Sequence, residues 1–100
     1  MQLDKDFILE ELKDYQDYIL KHYGVKIVGL FGSFSKDKAH DKSDIDLLYE
    51  IEKNSTLSLF KLLKLTAFLE DLLGKKVDLV RKQALKPKLQ DIITKELIYV

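Results

Sequence analysis

Residues 29–48 read Gly-Leu-Phe-Gly-Ser-Phe-Ser-Lys-Asp-Lys-Ala-His-Asp-Lys-Ser-Asp-Ile-Asp-Leu-Leu. A short apolar run, Ile27-Val28-Gly29-Leu30-Phe31, closes on the pair Gly32-Ser33. Ten residues later the chain reads Asp44-Ile45-Asp46 and turns apolar again. The stretch is strand, polar connection, strand, with a tight Gly-Ser turn after the first strand and two acids opening the second. Residues 25–31 are β-branched and mostly apolar, as a buried strand requires, and residues 45–51 (Ile-Asp-Leu-Leu-Tyr-Glu-Ile) form the second strand. A short helix beginning at Ser33 would fit the polar connection over 32–43.

Upstream, Ile8, Leu12, Tyr15, Ile19 and Tyr23 recur at three-to-four spacing, which predicts an amphipathic helix stopped by Gly24. Downstream, Asn54-Ser55-Thr56 offer N-caps for a long helix with Leu59, Leu62, Leu63, Leu65, Phe68, Leu69 and Leu72 inward and Gly74 as its stop. Val77-Asp78-Leu79-Val80 is a third strand. Pro87 suits the first turn of a last helix, with Leu89, Ile92, Ile93 and Leu97 inward. The apolar tail Leu97-Ile98-Tyr99-Val100 fits either core docking or a partner surface. The stripe Leu57, Phe60, Lys61 and Lys64 is open in the same way. These elements predict an α/β (α+β) fold: one domain over residues 1–100, with a small three- to four-stranded mixed sheet and helices packed against it.

Composition narrows the function classes. One hundred residues hold a single core, and there is no cysteine, so disulfides and thiolate metal sites are excluded. Lys+Arg and Asp+Glu are both 17, which argues against general binding of nucleic acid. The balance is uneven along the chain. Residues 1–23 carry six acids (Asp4, Asp6, Glu10, Glu11, Asp14, Asp17) against three bases. Residues 74–100 carry seven bases (Lys75, Lys76, Arg81, Lys82, Lys86, Lys88, Lys95) against three acids. Solvated helix faces explain this, as does a local positive field for a polyphosphate or an acidic partner. No stretch reaches membrane length and the N-terminus lacks a signal-peptide pattern, so the cytoplasm is the expected compartment.

Strand alternation points Asp44 and Asp46 to one side while Ile45 packs behind. Two carboxylates so close resist ionising together, and a divalent cation removes that penalty. Oxygen ligands without Cys or clustered His favour Mg²⁺ or Mn²⁺. Taken alone, the pair also reads as an Asp-capped strand start. Asp78 is the one acid in an apolar strand. It is either paired with Lys76 or Arg81, or it joins the other two acids if its strand neighbours theirs. Three convergent carboxylates can hold two metal ions for an in-line phosphoryl displacement. Gly32 permits close approach of a ligand to the backbone, and N–H groups of a helix starting at Ser33 would face an anion. His22 and His40, the two histidines, lack the spacing of a metal site.

Gly32-Ser33, ten residues, Asp44-Ile45-Asp46 and a later strand acid, Asp78, together resemble the minimal nucleotidyltransferase (MNT) domain of the polymerase-beta-like superfamily. The resemblance spans nearly the whole chain. It implies transfer of AMP from ATP to a hydroxyl, with release of pyrophosphate. It implies that Asp44 and Asp46 bind both Mg²⁺ ions, that Asp78 binds the catalytic one and helps deprotonate the acceptor, and that Gly32, Ser33 and Lys36 hold the triphosphate. Members of this size are commonly antitoxins encoded beside a HEPN-domain ribonuclease toxin, some of which adenylylate a toxin tyrosine. The alternative reading is a non-catalytic antitoxin that neutralises its partner by complex formation, in a homo- or hetero-oligomer. Nucleotidylation of RNA or an antibiotic fits less well, since the chain leaves no second domain to hold such an acceptor. Many relatives have Ala-Arg-Gly where this chain has Ser35-Lys36-Asp37. Lys36 keeps the charge but not the bidentate fork, and Asp37 puts an acid in place of glycine.

Overall fold

The computed structural model describes residues 3–100. Helix α1 (Lys5–Tyr23) starts at Asp4, whose carboxylate accepts the Phe7 N–H at 3.0 Å, and ends at Gly24 in the left-handed conformation. Strand β1 (Val25–Phe31) pairs antiparallel with β2 (Ile45–Ile51). Helix α2 (Leu59–Leu73) then carries the chain to β3 (Val77–Arg81), which lies parallel to β2 as a helical crossover allows. A short 3₁₀ turn (Lys82–Ala84) leads to α3 (Pro87–Glu96) and a two-residue strand, β4 (Ile98–Tyr99). The mixed sheet runs β3-β2-β1-β4, within the expected three to four strands.

The two faces of the sheet are unequal. Ile27, Leu30, Ile45, Leu47 and Val77 face α1 and α2 and build the main core with Ile8, Leu12, Ile19, Leu65 and Leu69. Val28, Leu48 and Ile93 form a smaller cluster on the other side, with Phe31, Val80, Leu85 and Leu97 packed against it. A register shift between Ile27 and Gly29 changes which residues of β1 face each side. One inserted residue reverses the alternation, so Leu30 enters the main core and Phe31 joins the smaller cluster.

Three expectations are corrected. No helix begins at Ser33: residues 33–37 form turns, with the Lys38 N–H reaching back to the Ser33 carbonyl at 2.9 Å. Helix α2 is capped by Ser58, not by Asn54, Ser55 or Thr56. Its hydroxyl takes the Lys61 N–H at 3.1 Å, whereas Ser55 closes a turn onto Glu52. Leu59 and Leu63 of α2 are exposed, as are Leu89 and Ile92 of α3, because a helix lying on a sheet buries only one stripe. The C-terminal tail is an edge strand: Ile98 and Tyr99 pair with Leu30 and Gly29, while Val100 packs on the main core. Gly29 makes this possible, since a Cβ there would collide with the Ile98 carbonyl.

Candidate active site

Asp46 is the second residue of β2 and the direct cross-strand partner of Asp78 in β3. Ile45, Leu47, Val77 and Leu79 flank the two acids and point into the main core, which turns both acids onto the opposite face. Asp44 is exposed and ends the polar loop before β2. That loop is tied by the His40 N–H to the Ser43 hydroxyl at 2.9 Å and by Lys75 Nζ to the Asp41 carbonyl at 2.6 Å. Next to it, the Ile45 N–H bonds the Lys76 carbonyl at 2.9 Å, locking the starts of β2 and β3 together. Neither Lys76 nor Arg81 forms an ion pair with Asp78 among the described residues.

The Gly-Ser turn abuts the same acids. Phe31 pairs with Asp46 across β1 and β2, so Gly32 follows directly beside the Asp46 carboxylate. Gly32 has φ +77°, and any Cβ there would overlap the Asp46 carboxylate. Both the backbone conformation and the space demand glycine. Ser33 is half-buried in the turn, and the Ser35 hydroxyl closes it by donating to the Gly32 carbonyl at 2.7 Å. Asp37 has φ +56°, the left-handed conformation that glycine adopts freely and Asp tolerates. Its carboxylate is engaged by Lys5 of α1 at 2.8 Å.

A fourth carboxylate, absent from the expected set, reaches this turn. Glu96, the last residue of α3, accepts the Gly32 N–H at 3.2 Å and pairs with Lys36 at 3.2 Å. Its place follows from β4. In the antiparallel register Gly29 faces Tyr99 and Leu30 faces Ile98, so each pair sums to 128 and Gly32 falls opposite Glu96. No signal in the sequence marks it, because the two-residue strand that delivers it is too short to show a pattern.

The electrostatics are those of crowded acids. Partial burial pushes the Asp46 carboxyl above its ordinary value, and the charges of Asp78, Asp44 and Glu96 push it further. A hard divalent cation reverses this repulsion, and an all-oxygen donor set suits Mg²⁺ or Mn²⁺. Among the described residues, no three acidic or imidazole side chains already stand in a closed metal-binding group. The carboxylates therefore fit a cation by chemistry and would have to gather around it. A groove of about 430 Å³, lined by Tyr18, His22, Phe60, Lys61 and Lys64 among others, contains none of these acids.

With Asp46 paired to Asp78 beside a glycine turn, and Asp44 just before β2, the comparison with known proteins becomes decisive. The family profile "Polymerase beta, Nucleotidyltransferase" matches residues 13–100. The chain belongs to this nucleotidyltransferase family. Protein adenylyltransferase MntA of Thermococcus cleftensis is 35% identical over 96 residues, covering 92% of this chain and 95% of that protein. A solved structure ascribed to a minimal nucleotidyltransferase superposes with TM-score 0.80 at 30% identity, over 99% of this chain and 98% of the other. A toxin–antitoxin crystal structure with AMP-PNP gives TM-score 0.67 at 25% identity, over 97% of this chain and 72% of the other. The nucleotidyltransferase fold, with its four-stranded mixed sheet and three helices, is thus shared along nearly the entire chain. Among the described residues, no helix is long and apolar enough to cross a membrane.

Proposed function

We propose that this nucleotidyltransferase is a Mg²⁺-dependent protein adenylyltransferase that moves AMP from ATP to a tyrosine hydroxyl of a partner protein. The partner is a HEPN-type ribonuclease toxin, and the chain acts in the cytoplasm as its antitoxin. The observation that carries the reading is the pairing of Asp46 with Asp78 beside the Gly32 turn. Support for the acceptor class comes from the relative named as a protein adenylyltransferase, and support for the biological setting from the toxin–antitoxin neighbour with its ATP analogue.

In this reading Asp44, Asp46 and Asp78 would hold the divalent cations. When bound, the cations supply charge neutralisation at the phosphates and at the attacking and leaving oxygens. The chain's own residues do the positioning. The Gly32 turn brings backbone N–H groups close to the triphosphate, Ser33 adds a hydroxyl donor, and Lys36 adds a positive charge. The acceptor oxygen forms a bond to the α-phosphorus as the bond to the bridging oxygen breaks. Pyrophosphate leaves, and the hydroxyl proton passes to the Asp78 carboxylate. Such a transfer asks the protein mainly for alignment and electrostatic stabilisation.

The test is incubation of the chain and its partner with Mg²⁺ and labelled ATP, followed by intact-mass analysis. Wild type should add one or more AMP groups to the partner, and Asp46→Asn should lose that transfer while keeping its fold. Undiminished labelling by Asp46→Asn would refute the assignment of the carboxylates. Toxin neutralisation by the Asp44→Asn/Asp46→Asn double variant without labelling would establish binding as the mode of action instead.

A further inference from the structure

Glu96 has no part in the reaction as described, yet it holds two of the groups that the reaction needs. One carboxylate oxygen takes the Gly32 N–H and the other pairs with Lys36, each at 3.2 Å. Its side chain is only 23% exposed, so this is an ordered contact and not a surface side chain in passing. The position is costly: Glu96 adds to the negative field that Asp46 already feels from Asp78 and Asp44. What repays that repulsion is a hydrogen bond from a backbone N–H and a cation, the same two kinds of partner that a phosphate oxygen takes. The β4 register that sets Glu96 opposite Gly32 makes the contact a feature of the fold.

We propose that the Glu96 carboxylate is a built-in stand-in for phosphate, occupying the Gly32 N–H and Lys36 until an incoming triphosphate displaces it. The inference rests on the reading of this turn as the triphosphate site. Glu96 is then a residue that sets nucleotide affinity. Its displacement frees Lys36 for the nucleotide and removes a negative charge from the path of a polyanion. The departure at Lys36 fits the same device, because a single ammonium is released from a carboxylate more readily than a bidentate guanidinium.

The experiment is calorimetric titration of the whole chain with AMP-PNP, with inorganic tripolyphosphate and with adenosine, all in the presence of Mg²⁺. Wild type, Glu96→Gln and Glu96→Ala are compared, with thermal melts to confirm folding. Glu96→Gln keeps the side chain's shape and its acceptor oxygen, so it remains informative if Glu96→Ala loosens the end of α3. Both variants should bind AMP-PNP and tripolyphosphate roughly three- to tenfold more tightly than wild type, the scale of one screened charge contact. Adenosine should bind unchanged, which a general loosening of the fold would not produce. The gain from Glu96→Gln should shrink in a Lys36→Met background. Equal or weaker tripolyphosphate binding by Glu96→Gln would overturn the inference and leave the triphosphate site standing. Failure of all three proteins to bind any triphosphate would overturn both.

Discussion

Replacing Asp46 by Asn should make the protein more stable while abolishing its transfer reaction. Adjacent strands lie about 4.8 Å apart, which brings the Asp46 and Asp78 carboxylates to roughly 5 Å. At that separation two negative charges repel by about 0.8 kcal/mol in a water-like dielectric and about 3 kcal/mol at an effective value of 20. Asp46 is half-buried and Asp78 exposed, so solvent screening holds the figure near the lower end, about 1 kcal/mol. For a chain of this length that corresponds to a melting temperature about 4 °C higher for Asp46→Asn in EDTA at pH 7.5. The sign with pH follows from the raised Asp46 value. The native state holds this proton at pH values where the unfolded chain has released it, so wild-type stability falls as pH rises through that window. The advantage of Asn is therefore full above the raised value and shrinks as pH falls toward the ordinary 3.8. Differential scanning calorimetry at pH 7.5, 5.5 and 4.0 checks this. An Asn variant no more stable than wild type at pH 7.5, or one whose advantage persists undiminished at pH 4.0, would refute the claim of crowded carboxylates.

Gly32→Ala should cost about 2 kcal/mol from its positive φ and its overlap with Asp46, lowering the melting temperature and weakening AMP-PNP binding in the same variant. An unchanged melt would show that the turn can relax. Leu69→Ala empties a fully buried position against the sheet and should cost about 2–5 kcal/mol by urea unfolding, whereas Leu63→Ala, 60% exposed, should stay within about 0.5 kcal/mol. Equal losses at the two positions would mean that α2 lies on the sheet in a different rotation.

Most of the secondary structure was legible from local pattern alone. The end of β1 was evident because its β-branched, apolar run stops at Gly32, and β2 because a mostly apolar segment follows the Asp-x-Asp start. Gly24 and Gly74 marked the helix stops, and Pro87 the start of α3, through backbone preferences that act at one residue. The cap of α2 is not legible locally because Asn54, Ser55 and Ser58 have similar side-chain chemistry. Only packing decides that the first two serve the turn after β2. The buried stripes of α2 and α3 are narrower than their apolar faces for a related reason: hydrophobicity shows which residues can be buried, and the sheet shows which are.

The sequence by itself determined the chemical inventory: a glycine turn, an Asp-x-Asp at a strand start, a lone acid in a later strand, and no cysteine thiol or clustered imidazole to compete for a metal. Those are properties of residue type and near spacing. The tertiary structure decided which of the acids meet. Parallel pairing of β2 with β3 sets Asp78 against Asp46, and the bulge in β1 turns Phe31 away from the main core just before Gly32. The two-residue β4 brings Glu96 across 64 positions of chain to the Gly32 N–H. Contacts of that range depend on strand register, and register is settled by the packing of the whole sheet against its helices rather than by any local run of residues.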